Sequence, residues 1–332
     1  MRMMSVRQRL TAVSIALATA LALVGCQDTG DQGPAPTSAD TSTTADTILL
    51  PGNTGPLAMT VARDGSLWVT EQRISAIARI NPARQVAQYR IPGDSEPKGI
   101  LQAPNDTIWY VGADQLKRID TSGRTNGWME DDGGLGYPTA ITLGPDGAIW
   151  YDETGSPALI RRIDPSRGPS TVAVLPDGWT PSGMTSGPDG AVWFCEHDDQ
   201  HNADAIGHVT PQGTYTSWPL PPGSYPWTIV TGPDDALWFT EVNGIGRITT
   251  AGVMTHFTVA NTKHPRSLIS GPQGALWFTT ETGIGRLTPA GSLTAWPMSD
   301  VQALDSIVAD PNGGFWLADS QKSEIRHFQP PS

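Results

Sequence analysis

Seven tryptophans recur at nearly fixed intervals along this chain. Trp68, Trp109, Trp150, Trp193, Trp238, Trp277 and Trp316 are separated by 41, 41, 43, 45, 39 and 39 residues, and each sits in a copied phrase. The fullest copies are "GPDDALWFTEVNGIGRITTAG" at 232–252 and "GPQGALWFTTETGIGRLTPAG" at 271–291, with shorter versions in "GPDGAIWY" at 144–151 and "GPDGAVWF" at 187–194. A unit of about 40 residues cannot bury its own apolar faces and must stack on its neighbours. The repeat therefore constrains the fold before any single residue is considered.

Within a unit an apolar segment such as "WTIVTG" comes first, followed by a Gly-Pro-Asp-Gly turn, then "ALWFTE", then "IGRI", then an outer segment such as "YTSWPLP". Pro presets φ at the first central position of the turn, Asp tolerates the second, and Gly adopts the left-handed conformation that follows. The Trp segments are apolar at consecutive positions, as in Leu237, Trp238 and Phe239, which suits strands covered on both faces. Four short strands per unit and seven units predict an all-β, seven-bladed β-propeller. Periodic tryptophans of this kind are core rather than a ligand-stacking set.

The seventh unit supplies "DSIVAD", "GFWLAD" and "SEIRHF" and then lacks an outer strand, whereas "TILLP" at 47–51 has the outer-strand pattern and precedes the first unit. The N-terminal strand is expected to complete the last blade, so that the propeller occupies 47–330 and leaves no open edge.

Ahead of it, Arg2, Arg7 and Arg9 precede the apolar run Leu10 to Val24, and Leu23-Val24-Gly25-Cys26 resembles a bacterial lipobox. The expectation is a lipoprotein signal over 1–26, a lipid on Cys26, and export to the outer face of the cytoplasmic membrane, with membrane contact through that anchor only. Residues 27–46 lack aromatic and large aliphatic side chains and read as a flexible linker. Loss of the three signal arginines takes the formal charge from −12 to −15, which argues against nucleic acid as a partner. Cys195 is then the only other cysteine, so no internal disulfide is expected, and a monomer held by its core is.

The pattern Gly-Pro-Asp-Gly-Ala-Leu-Trp-Phe-Thr-Glu followed by Ile-Gly-Arg-Ile-Thr resembles the streptogramin B lyases, also called virginiamycin B lyases, over about residues 47–328. The resemblance implies a carbon–oxygen lyase that opens a cyclic depsipeptide by elimination, with Mg²⁺ as its cofactor. It also implies a catalytic set: a His after the Pro of one inner strand, Glu-Pro-His at the start of the next, and a Glu four residues beyond that blade's Trp. These positions hold Arg266, Ala303, Asp305 and Ser320 in this chain.

Inner strands of a propeller face its axis, so the residue after each inner-strand Pro, or its equivalent, should contribute to a ring at one mouth. That ring reads Leu57, Lys98, Thr139, Ser182, Trp227, Arg266 and Asp305. Its mixture of cations, a carboxylate, hydroxyls and an indole suits a polar ligand with an apolar or ring-shaped part; the bland alternative is a solvated rim. The acidic residues three after the Trp, namely Glu71, Glu153, Glu196, Glu241 and Asp319, recur in most blades and are expected to accept backbone N–H bonds. Blade four departs from the repeat with "CEHDDQHNADAIGHV", where Glu196, His197, Asp198 and His201 offer a candidate metal site against the alternative of a solvated loop. The readings that follow are ligand binding at the funnel, a small molecule or cyclic peptide being the partner; a divergent lyase; or an envelope scaffold without a site.

Overall fold

The computed structural model describes residues 37–38, 46–91, 96–112, 116–120, 123–127, 136–164, 168–259 and 264–331. The expected signal, Cys26 and all of the expected linker but residues 37–38 and 46 lie outside them. Thr37–Ser38 runs parallel to the outer strand of blade six, beside Thr294 and Ala295.

Seven sheets of four antiparallel strands make up the propeller, the two-residue pairing at Thr37–Ser38 being an addition to one of them. Each blade runs outward from an inner strand at the axis. The inner strands are Pro56–Val61, Ile100–Gln102, Ile141–Leu143, Thr180–Ser186, Ile229–Thr231, Leu268–Gly271 and Leu304–Ala309. The Trp anchors lie on the second strands, for example Leu237–Glu241 and Ala275–Thr280. The last blade is closed by Asp46–Leu49, which pairs antiparallel with Glu324–Phe328, Ile48 opposite Ile325.

Each element of the repeated phrase has a physical task. The turn Asp accepts the indole N–H of the Trp four residues later, at 3.2 Å for Asp146 and Trp150, 3.1 Å for Asp189 and Trp193, and 2.8 Å for Asp234 and Trp238. The Arg of "IGRI" then lies over that indole, with Arg247 5.8 Å from the Trp238 ring, and its Nε donates to Asp234 at 2.7 Å. Turn, second strand and third strand are thus fastened to one another. The Gly before that Arg makes room for the Phe of the second strand: a Cβ on Gly246 would stand 2.2 Å from the Phe239 ring.

The core is seven apolar wedges, each filled by side chains of two neighbouring blades. Trp238, Ile245, Leu276 and Phe278 fill one, while Ile48, Leu50, Met59, Val69 and Ile325 fill the wedge that joins the last blade to the first. Six of the anchors are buried, and Trp316 in the closing blade is partly covered by Arg84 and His327.

The acidic series departs from expectation. Asp319 accepts the backbone N–H groups of Gln302 and Ala303, as predicted. The others take side-chain partners from the third and fourth strands: Glu71 from Gln88, Glu153 from Arg161, Glu196 from Tyr215 and Ser217, and Glu241 from His256. The backbone-capping task falls one residue earlier, on the strand face that meets the inner strand. Thr70, Thr240 and Thr279 accept the N–H of Ala58, Thr228 and Ser267 through Oγ1, and in blade three Asp152 does so for Ala140.

Candidate functional site

All seven ring positions line one axial cavity of about 610 Å³. A side chain reaches it because each inner strand begins at the same mouth and turns the same face to the axis. A second cavity of about 460 Å³ opens beside it and shares Leu57, Trp227, Arg266 and Asp305.

The wall formed by blades five to seven carries an ion pair and the aromatic surface. Trp227 is 65% exposed, unlike the anchor tryptophans, and so presents its indole to the mouth. Arg266 and Asp305, on neighbouring blades, form an ion pair through Arg266 Nη1 and Asp305 Oδ1. The carbonyl of Arg266 accepts the Thr228 hydroxyl at 2.8 Å, which ties blade six to blade five at this level. On the opposite wall stand Lys98, Thr139 and Ser182, with His197 reaching the same cavity from the end of the second strand of blade four.

In blade four the pairing shifts between Ser182 and Met184, and Gly183 takes φ 41° at the irregularity. Only glycine fits there, because a Cβ would meet the Trp227 carbonyl at 2.2 Å. Tyr225 and His264 each stand two residues before a ring position, at φ 44° and 53°, and both line the second cavity. A left-handed backbone at a tyrosine costs about 1–3 kcal/mol, and such strain collects at functional rims. Sequence reading passed over both; the signal was the recurring residue before the inner-strand Pro.

The blade-four loop does not bring its four metal-ligating candidates together. Glu196 is buried against Tyr215 and Ser217, and burial pushes its carboxyl up to about 7. His197 faces the axial cavity. Asp198 accepts the backbone N–H groups of Gln200 and His201 and meets His201 Nδ1 at 2.6 Å, which closes the turn. Among the described residues no group of three His, Cys, Asp or Glu side chains converges as a metal site would require.

The positions at which the resemblance places the catalytic and metal-holding groups are equally clear. Ala303 offers a methyl group, Ser320 is 9% exposed, its N–H bonded to the Ala303 carbonyl, and Asp305 is committed to Arg266. Arg73 donates to the Ser320 carbonyl at 2.9 Å, which adds a second guanidinium to that junction. A hard divalent cation takes several oxygen ligands, usually carboxylates among them. A single carboxylate at these positions, itself paired with the Arg266 guanidinium, does not fit Mg²⁺.

Fold and site together define a seven-bladed propeller with a ligand-sized funnel of mixed apolar and polar lining on its axis. A model of the virginiamycin B lyase family matches residues 42–201 and 135–331. The chain belongs to the virginiamycin B lyase family. The virginiamycin B lyase of Nocardia farcinica is 26% identical over 113 residues, 32% of this chain and 37% of that protein, so the match spans little more than a third of that relative's length. The crystal structure of selenomethionine-substituted virginiamycin B lyase from Staphylococcus aureus superposes with a TM-score of 0.78 at 30% identity, over 87% of this chain and all of that one. A catalytically inactive His-to-Ala form of the Staphylococcus aureus lyase, solved with quinupristin, gives 0.77 at 30% identity over the same shares.

Proposed function

We propose that this chain is a ligand-binding propeller that holds a cyclic ester- or amide-containing molecule at its axial funnel. The observation that carries this reading is the Arg266–Asp305 pair beside the exposed Trp227 indole, at a mouth where the family's His and Glu positions hold Arg266, Ala303, Asp305 and Ser320. Guanidinium and indole supply a donor for carbonyl oxygens and a stacking surface. Mg²⁺-assisted elimination through the family's residues is not part of the proposal, because the donor set does not fit the ion.

The test uses quinupristin, the molecule in the solved Staphylococcus aureus complex. Calorimetry should detect binding, weakened about 10- to 150-fold by Arg266→Ala, the loss of one charge-assisted hydrogen bond of about 1.5–3 kcal/mol. Absence of binding, or binding indifferent to Arg266→Ala and Trp227→Ala, sinks the proposal. A second reading, a divergent lyase, draws on the paired acid and base at the mouth. Elimination opens the ring at constant mass, whereas hydrolysis adds one water, so chromatography with mass detection separates the two from simple binding. Ring opening that disappears in Asp305→Ala would replace binding by catalysis.

Export and anchoring through a lipid on Cys26 belong to the same proposal. Their support is the Arg-flanked apolar run ending at Leu23-Val24-Gly25-Cys26. Cys26→Ser should leave the precursor unprocessed or release the protein from membranes. An unmodified Cys26 thiol in membrane-extracted protein ends this part of the reading.

A further inference from the structure

Blade three breaks a rule that other blades keep. In blades one, five and six a threonine hydroxyl on the second strand accepts the inner-strand N–H that follows the ring residue, at 2.9, 3.0 and 3.1 Å. In blade three the same bond, at 2.6 Å, ends on a carboxylate, Asp152. The substitution is not needed for capping, since a threonine suffices elsewhere in this chain. The extra oxygen does something the threonines do not: Asp152 Oδ2 takes the hydroxyl proton of the ring residue itself, Thr139, at 2.5 Å, while Oδ1 also accepts the Thr139 N–H at 2.8 Å.

Asp152 is fully buried, and burial pushes its carboxyl up to about 6 against the hydrogen bonds of Thr139 and Ala140. It is therefore ionised above neutral pH and acts as an acceptor only. With its proton committed to Asp152, Thr139 Oγ1 can act only as an acceptor toward the cavity that the residue lines. In the adjacent blade Ser182 lines the same cavity, is 6% exposed, and has no hydrogen-bond partner among the described residues for its buried Oγ. A buried hydroxyl without a partner is costly unless a ligand completes it. The funnel wall thus offers a fixed acceptor on one blade and an unused donor on the next.

We propose that Thr139, oriented by Asp152, and Ser182 form a subsite that reads a secondary amide, Thr139 accepting its N–H and Ser182 donating to its carbonyl oxygen. This deepens the funnel-binding reading and rests on it. Asp152 is a positioning residue that touches no ligand; it sets the direction of the Thr139 hydrogen bond. The subsite lies across the funnel from Arg266 and Asp305. A ring-shaped ligand engages both walls only if it carries an amide opposite the group that Arg266 holds.

The test compares N-methylacetamide, which has one N–H, with N,N-dimethylacetamide, which has none, titrated into the full chain at pH 8. The backbone amide signals of Thr139, Ala140 and Ser182 are followed by NMR. N-methylacetamide should act at about fivefold lower concentration, one net hydrogen bond's worth of selectivity. Asp152→Thr, which installs the residue used by three other blades, frees the Thr139 proton and should bring the two probes level. Thr139→Val, nearly isosteric, gives the same answer without touching the buried acid. Equal response of the wild type to both probes, or selectivity that survives both substitutions, overturns the subsite. The parent reading fails differently. If the amide selectivity is present but quinupristin perturbs neither these signals nor Trp227, the subsite stands and the choice of a large cyclic ligand falls. Quinupristin binding that depends on Arg266, without amide selectivity, removes the subsite alone.

Discussion

Replacing Ile48 by Ala isolates the closure of the ring, because the residue next to it is an internal control. Ile48 is 7% exposed and fills the wedge between the last and first blades with Met59, Val69 and Ile325, whereas Leu49, on the opposite face of the same four-residue strand, is 69% exposed. Truncating a buried Ile to Ala costs about 2–5 kcal/mol through lost burial and the cavity left behind. A propeller of this size loses about 2–4 °C of melting temperature per kcal/mol, so Ile48→Ala should lower the transition by about 4–20 °C. Leu49→Ala removes a side chain already in water and should stay within about 0.5 kcal/mol, or about 2 °C. Differential scanning fluorimetry and urea titration of the two variants read the difference directly. Equal shifts, or none in either, would show that strand 46–49 does not complete the last blade in solution, and the ring-closure argument would fail with it.

Burial pushes Glu71 and Glu196 up to about 7 and Asp152 up to about 6, so each favours the folded state in its protonated form. That stability is complete below about pH 4 and is lost as pH rises through 6–7; the urea midpoint should fall from pH 5 to pH 8, less steeply in Glu71→Gln and Glu196→Gln, and a midpoint that climbs over this interval contradicts the assignment. Asp234→Ala strips partners from the Trp238 indole and Arg247 and should cost about 1–3 kcal/mol in urea titrations; a neutral effect would show the turn is not fastened through that acid. Cys195 is fully buried, and burial, reinforced by Glu196 and Glu241, pushes its thiol well up. It should resist Ellman's reagent in the native protein and react after guanidinium unfolding; rapid native reaction would mean the blade-four core opens.

The architecture was legible because the interactions that build a blade are local in sequence. Asp234 reaches Trp238 four residues on, Arg247 returns to both from the next strand, and Gly246 yields to Phe239, so the phrase itself records the contacts. Ring closure was legible for the opposite reason: a strand absent at one end was present at the other. The ring around the axis followed from one strand position repeated in every blade. The special acid was not legible. Counting from Trp150 singles out Glu153, at the position of the recurrent acidic series, yet it is Asp152 that faces the inner strand. The parity of a strand face relative to its neighbour is set by pairing, not by the residue's own type. The blade-four histidines misled in a related way, since proximity along a strand sends consecutive side chains to opposite faces and so parts Glu196 from His197.

The strand at 46–49 must wait for its partner. Ile48 meets Ile325, and the Thr54 N–H donates to the Ser323 hydroxyl 269 positions away, so a strand made early is paired only with one made late. At about 5–20 residues per second of synthesis, the interval is on the order of tens of seconds. Throughout that time the emerging chain can stack blades but cannot lock them into a circle, and the wedge that Ile48 and Leu50 will fill stays open to water. A chain arranged this way remains an unlatched stack of blades until the strand at 324–328 has left the ribosome. Latching of the ring must therefore follow the making of the strand at 324–328.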